Sequence, residues 1–405
     1  MVGDMLSHAN FTEQLADLAV TVGANVQPGQ IVVVTAEPGH LPLAREIARA
    51  AYDRGARFVD LSVFDPLLKR VRLEHAEPDT LDFVPPWLGA SALAHGDAGA
   101  ATVRITGPTE PGALDGLDPV AAGRDALPML AERRTVINDR SISWTLVPYP
   151  TAAWAGLTHP ELAPDAALTQ LVQELAHVCR LDEPDPAAAW RDRMTSLGEV
   201  GDRLTAHRFD AIRLRGPGTD LTVGLLPSSR WLTTAMRTRN GSPHLANLPT
   251  EELLTTPDPE RVDGVVATSR PLVLGGAVID GMRIRFRNGR AESIEADRGG
   301  AVMEGYTARD AGAARLGEIA LVDGAGRIGP LGTVFHDTLL DENAATHLAF
   351  GWGYLAPVED PRDVPRVNTS AIHVDFMIGS DKLTVEGLTK AGTAVPVLDG
   401  GVWRI

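Results

Sequence analysis

Cysteine is nearly missing from these 405 residues, with Cys179 the single one. No intrachain disulfide can form and no cysteine-rich site is available, so any metal must be held by histidines and carboxylates. Long apolar runs are missing too. No stretch approaches the about 18 apolar residues that suggest a membrane span. The start, "MVGDMLSHANFTEQLADLAV", carries acidic and polar residues where a secretory signal has a basic start and an unbroken apolar stretch. The expectation is a cytoplasmic chain with no membrane partner. Basic residues are in deficit: 53 Asp and Glu against 37 Lys and Arg give a formal net charge of -16, and no Lys/Arg-rich block can follow a phosphate backbone. Nucleic acid is therefore not expected as a partner. The glycines of "GPTEPGALDG" lack the spacing of a dinucleotide loop, so that stretch reads as a turn.

What is present is enough apolar material, 44% of the residues, for more than one core. Single cores stop growing beyond about 250 to 300 residues, which favours two domains. In the first part, the short β-branched run "QIVVVTAE" precedes "HLPLAREIARAAYDRGA", whose apolar residues recur every three or four positions up to Gly55. The strand-like "RFVDLSV", "AATVRITG" and "ISWTLVPYP" follow. Strands separated by helices predict an α/β N-terminal domain, residues 1–180, with a mainly parallel sheet. A helix from "DPAAAWRDRMTSLGEVGDRLTAH", capped by Asp185, opens the second part. There "FDAIRLRGPGTDLTVGL" reads as a hairpin and "RNGR" as a turn between two further strands. The prediction for residues 181–405 is an α+β domain with antiparallel strands.

Histidines and carboxylates in apolar surroundings gather in that second part. In "SAIHVDFMIGS" a strand would place His373 and Asp375 on one face and Val374, Phe376 and Ile378 on the other. Two polar groups side by side in such a strand need hydrogen bonds, ion pairs or a metal. In "NLPTEELLTT" one of Glu251 and Glu252 is expected to point inward and the other to be solvated. Glu318 opens the strand-like "EIALV", as an ion-pair partner or as a ligand. In "FHDTLLDENAATHLAFGWGY", Asp341 is expected to cap a helix carrying Glu342 and His347, with Tyr354 near the same face. Singly, each has an ordinary structural explanation. Together they form a set of hard-to-borderline donors suited to two adjacent divalent ions such as Zn, Co or Mn. Such a pair lowers the pKa of a water and clamps a tetrahedral intermediate, which is the chemistry of metal-assisted hydrolysis.

The segments "NLPTEELLTTPDPERVDGVV", "LGEIALVD", "FHDTLLDENAATHLAFGWGY" and "IHVDFMIGS", in this order, resemble the thermophilic-type dinuclear metallo-aminopeptidases, the family of aminopeptidase T and aminopeptidase S. "NVQPGQIVVV", "YPTAAWA" and "GPGTDLTVGL" extend the likeness over nearly the whole chain. The resemblance implies an exopeptidase that acts on peptides with free N-termini, works as a homodimer, and carries its two-metal catalytic site in the C-terminal domain. Carried over position by position, it makes Glu252, Glu318, Glu342, His347, His373 and Asp375 the metal ligands, with Glu318 and Asp375 as bridging candidates. Tyr354 and Glu318 are the implied catalytic residues. His336 departs from the family pattern, standing where an aromatic residue is usual, and is expected to fill a surface gap. Two other outcomes stay open: a dinuclear hydrolase of a non-peptide amide, and a metal-binding protein without activity.

Overall fold

The computed structural model describes residues 8–125, 127 and 131–405, and the chain divides into two compact units. One consists of Met1–Arg193 and Thr234–Thr250, the other of Met194–Thr233 and Glu251–Ile405.

In the first unit, β1 (Ile31–Ala36), β2 (Phe58–Val63), β3 (Ala101–Thr106) and β4 (Ser143–Pro148) form a wholly parallel sheet in the order β2-β1-β3-β4. The helix Leu41–Asp53 connects β1 to β2. It buries Leu43, Ala44, Ile47, Ala50 and Ala51, the spacing read from the sequence, and the chain leaves it through Gly55 at φ 83°, which suits glycine. Val32, Val33 and Val34 are all buried, so β1 is covered on both faces, as parallel strands are. The edge strand β2 differs. Phe58, Leu61 and Val63 are exposed, and the following helix Pro66–His75 buries none of its residues.

The second unit contains the hairpin of β5 (Ala211–Gly216) and β6 (Thr219–Leu225), turned at Pro217 and Gly218. The short hairpin of β7 (Ala235–Arg237) and β8 (Pro243–Leu245) belongs to the first unit, where Asn247 bridges Leu146 of β4. Then follow β9 (Glu252–Thr255), β10 (Pro257–Ala267), β11 (Leu272–Leu274), β12 (Ala277–Ile279), β13 (Arg283–Arg287), β14 (Arg290–Glu295), β15 (Leu316–Val322), β16 (His347–Gly351), β17 (His373–Met377), β18 (Thr384–Leu388), β19 (Ala394–Asp399) and β20 (Val402–Trp403). An eight-stranded sheet runs β14-β13-β10-β6-β5-β18-β19-β20, and a four-stranded sheet runs β17-β16-β15-β9. Pairings in both are antiparallel.

Leu253, Ile319, Leu321, Leu348, Phe350, Val374 and Phe376 share one face of the four-stranded sheet and enter the same core as Leu214, Val223 and Phe286 of the larger one. Phe350 lies at the centre, its ring 5.1 Å from Phe376 and 5.7 Å from Phe286. Burying each of these side chains stabilises the unit by roughly 1.5–3 kcal/mol. The opposite face of the sheet is then fixed, because side chains alternate.

Candidate metal centre

That opposite face collects the polar residues. The register sets Glu318, Ala349 and Asp375 in one row across β15, β16 and β17, pairs His347 with Ala320 and His373 with Gly351, and pairs Glu252 with Val322. Directly opposed residues share a face, so five candidate ligands project together while Ala320, Ala349 and Gly351 leave space between them. A β-bulge makes this possible. Leu316 pairs with Phe350 in the core, yet Glu318 pairs with Ala349 on the polar face, so the extra residue Gly317 flips the alternation. Gly317 is pressed against backbone: a Cβ there would lie 2.3 Å from the Gly351 carbonyl oxygen and 2.5 Å from that of Trp352.

The donor atoms form two groups that share Glu318: Glu252, Glu318 and His347, and Glu318, His373 and Asp375, each with its ligand atoms within 4.8 Å of one another. Glu318 turns Oε1 toward His347 Nε2 at 3.9 Å and Oε2 toward His373 Nε2 at 3.3 Å. His373 Nε2 also lies 3.5 Å from Asp375 Oδ1. Both imidazoles are oriented from behind. Nδ1–H of His347 donates to the Ala345 carbonyl at 3.1 Å, and Nδ1–H of His373 to the Trp352 carbonyl at 2.8 Å. This fixes the rings so that Nε2 faces the cluster, the usual way a protein holds a ligating histidine.

A cation fits this donor set on an observation of the site itself. Oε2 of Glu252 is buried and lies 3.0 Å from His347 Nε2, the nitrogen that also faces Glu318. A buried carboxylate oxygen in this position is costly unless positive charge meets it, carried by the ring or by a bound cation that takes the proton's place. Mixed oxygen and imidazole donors suit divalent ions of the zinc, cobalt and manganese kind.

Without an ion the cluster stores protons. Burial opposes charge on His347, but Glu252, Asp375 and Glu318 outweigh it and raise its pKa to about 9. Burial likewise opposes charge on His373, and Asp375 and Glu318 hold its pKa well above the ordinary range. Burial and then the charges of Asp375, Glu252 and Glu318 push the Glu342 carboxyl far up. Burial also raises Glu318, against the pull of His373. For Asp375 the burial effect is overcome by His373, with help from His347 and a hydrogen bond from Glu342, and its pKa falls below the ordinary value. The Tyr354 phenol is held protonated by burial and by the same four carboxylates.

Glu342 thus sits beside the cluster but outside both three-residue groups, at the end of the helix Thr338–Asn343. Tyr354 stands next to His373, ring centroids 5.6 Å apart, and Thr256 Oγ1 donates to its carbonyl at 2.6 Å. His336 has a positive φ of 56° and joins neither group.

Two local expectations need correction. The cap of the helix is Asp337, whose side chain accepts from Leu340 N, whereas Asp341 is buried and accepts from Phe335 N and Asp337 N. The helix ends at Asn343, and His347 instead opens β16, because "HLAFG" is an alternating segment whose Leu348 and Phe350 belong to the core. The second correction concerns Glu251. It is as buried as Glu252, its Oε1 accepting from Arg327 N at 3.3 Å, so neither glutamate is solvated.

The profile of the Thermophilic metalloprotease (M29) family matches residues 9–403. The chain belongs to that family. It is 39% identical to Aminopeptidase T of Thermus thermophilus, over 97% of this chain and 98% of that one. It is 35% identical to Aminopeptidase 2 of Geobacillus stearothermophilus, over 96% and 97% respectively. The solved structure of wild-type AmpT from Thermus thermophilus superposes with a TM-score of 0.88 at 38% identity, covering 98% of this chain and 100% of that one. Membership of a metalloprotease family supports divalent-metal use, and the buried acidic face of the four-stranded sheet offers two candidate groups of ligands for it.

Proposed function

We propose that Glu252, Glu318, Glu342, His347, His373 and Asp375 would hold two divalent cations of the zinc, cobalt or manganese kind, with Glu318 common to both ligand groups. The chain is a metal-dependent aminopeptidase, which hydrolyses N-terminal residues from peptides. The observation that carries the site assignment is Glu318, whose two oxygens face two different histidines. When bound, such ions polarise a carbonyl and bring the pKa of a water toward neutrality. The chain's own residues supply the remainder. Glu318 presents one oxygen to each imidazole, while the Ala345 and Trp352 carbonyls orient the rings. Tyr354, kept protonated by its surroundings, donates a hydrogen bond to the scissile carbonyl oxygen as negative charge develops there. In the metal-free cluster Glu342 donates a hydrogen bond to Asp375, and a carboxylate of the centre would carry a proton from the attacking water to the departing amine.

The proposed assembly is a homodimer in the cytoplasm. Phe58, Leu61, Val63, Leu67, Leu68 and Val71 leave an exposed apolar surface of the kind that pairs with a second copy. Among the described residues, no helix is long and apolar enough to cross a membrane. Turnover of leucyl p-nitroanilide and metal analysis, before and after chelation, test the function together. Loss of hydrolysis on chelation and its return with cobalt or zinc are expected; hydrolysis that survives complete metal removal contradicts it.

A further inference from the structure

Asn343 is fully buried at the end of the helix Thr338–Asn343 and belongs to neither ligand group. Its amide is used on both sides. Oδ1 accepts the backbone N–H of Glu251 at 2.7 Å, across 92 residues of sequence, while Nδ2 donates to the Leu339 carbonyl at 3.0 Å and reaches Glu342 Oε1 at 3.4 Å. These partners fix the orientation of the amide, since an N–H needs an acceptor and a carbonyl needs a donor. One side chain therefore ties the peptide just before Glu252 to the turn that carries Glu342. The tie matters because β9 has β15 on one side and only the bridge from Leu232 to Leu254 on the other, and Glu252, its first residue, lies beyond that bridge. Without Asn343 the buried N–H of Glu251 would lose its acceptor, and that end of the strand would lose its hold on the Glu342 turn.

We infer that Asn343 is a positioning residue that sets the spacing of the Glu252 and Glu342 carboxylates and, through it, the affinity of the centre for divalent cations. The inference rests on the proposal that these two glutamates are ligands. Side chains that orient ligands from behind typically change metal affinity by about 10–100-fold when removed. A purely structural asparagine would lower the melting temperature of the metal-free protein and leave the affinity of the folded protein unchanged.

The test is cobalt(II) titration of the metal-free full-length chain, followed by its visible absorption, in wild type, Asn343→Ala, Asn343→Asp and Glu252→Gln, with circular dichroism to establish folding. Folded Asn343→Ala is expected to bind cobalt about 10–100-fold more weakly, with an altered spectrum. Asn343→Asp keeps the acceptor for the Glu251 N–H but turns a carboxylate oxygen onto the Leu339 carbonyl and Glu342, so a shifted spectrum and a changed cobalt affinity are expected. Folded Asn343→Ala with the wild-type affinity and spectrum overturns the inference. Should that variant not fold, a wild-type spectrum in Asn343→Asp overturns it instead. Glu252→Gln separates the two levels: wild-type affinity there removes the ligand assignment itself, whereas weak binding there beside unchanged Asn343 variants removes only the role of Asn343.

Discussion

The parallel sheet of the first unit and the four-stranded sheet of the second are both buried, but they are buried differently. Val32, Val33 and Val34 put apolar side chains on both faces of β1. In β15 every residue is buried as well, yet Glu318, 4% exposed, faces a cluster of carboxylates and histidines. The first sheet is held by apolar contact on two sides. The second has apolar contact on one side and needs a cation, or protons, on the other. Its stability should therefore depend on metal and pH in a way that the first sheet's does not.

The most damaging way to break that contrast is Gly317→Ala. A Cβ at this position meets backbone oxygens at 2.3 and 2.5 Å, so the bulge cannot keep Glu318 on the polar face or leave the Trp352 carbonyl where it accepts from His373. Metal content and peptide hydrolysis should both fall below detection. The matching change in the first sheet, Val34→Ala, should cost on the order of 2 kcal/mol in urea unfolding while metal content per folded chain stays at the wild-type level. Equal metal loss in both variants would erase the distinction.

Chelation comes next in size. Hydrogen exchange on the chelated protein should show lost protection in β15, β16 and β17, with β1 and β3 little changed. A uniform loss across both sheets would mean that the site does not stabilise its own sheet in particular.

Acidity gives a smaller, signed effect. His347 titrates at about 9 in the metal-free fold against an ordinary 6.5. A raised folded-state pKa contributes stability that is complete below about 6.5 and is lost as pH rises toward 9. Thermal unfolding of the metal-free protein should weaken across that window, and apparent metal affinity should strengthen, because the ion displaces the proton. Metal affinity that is flat from pH 6.5 to 9 would show that His347 need not lose a proton to the ion. The smallest effect on catalysis is expected in the first unit, where Leu68→Asp, on the exposed helix, should shift sedimentation from dimer to monomer and change hydrolysis by no more than about two-fold.

Legibility differed between the sheets for a physical reason. Parallel strands with helices between them announce themselves by composition, and all four segments read as strands in the first part form its sheet. In the second unit, simple alternation was enough for β17, where His373 and Asp375 do point away from Val374 and Phe376. It failed where a local irregularity resets the phase. The bulge at Gly317 cannot be seen in "LGEIALV", because it is set by how β16 and the Trp352 carbonyl pack against that glycine. The change from helix to strand between Asn343 and His347 was hidden in the same way, since "DENAATH" reads equally well as a continuing helix. Asn343 carries no signal in the sequence, because its contact is with Glu251, 92 residues away.

If Glu318 joins the two groups of ligands into one centre, both groups depend on its charge. Cobalt titration of Glu318→Gln tests it most directly, because the change keeps the shape of the side chain and removes its charge. The variant, folded and with β15 in place, should bind cobalt at least about tenfold more weakly in both groups and lose hydrolysis of leucyl p-nitroanilide. Two cobalt ions per chain bound with wild-type affinity would contradict it.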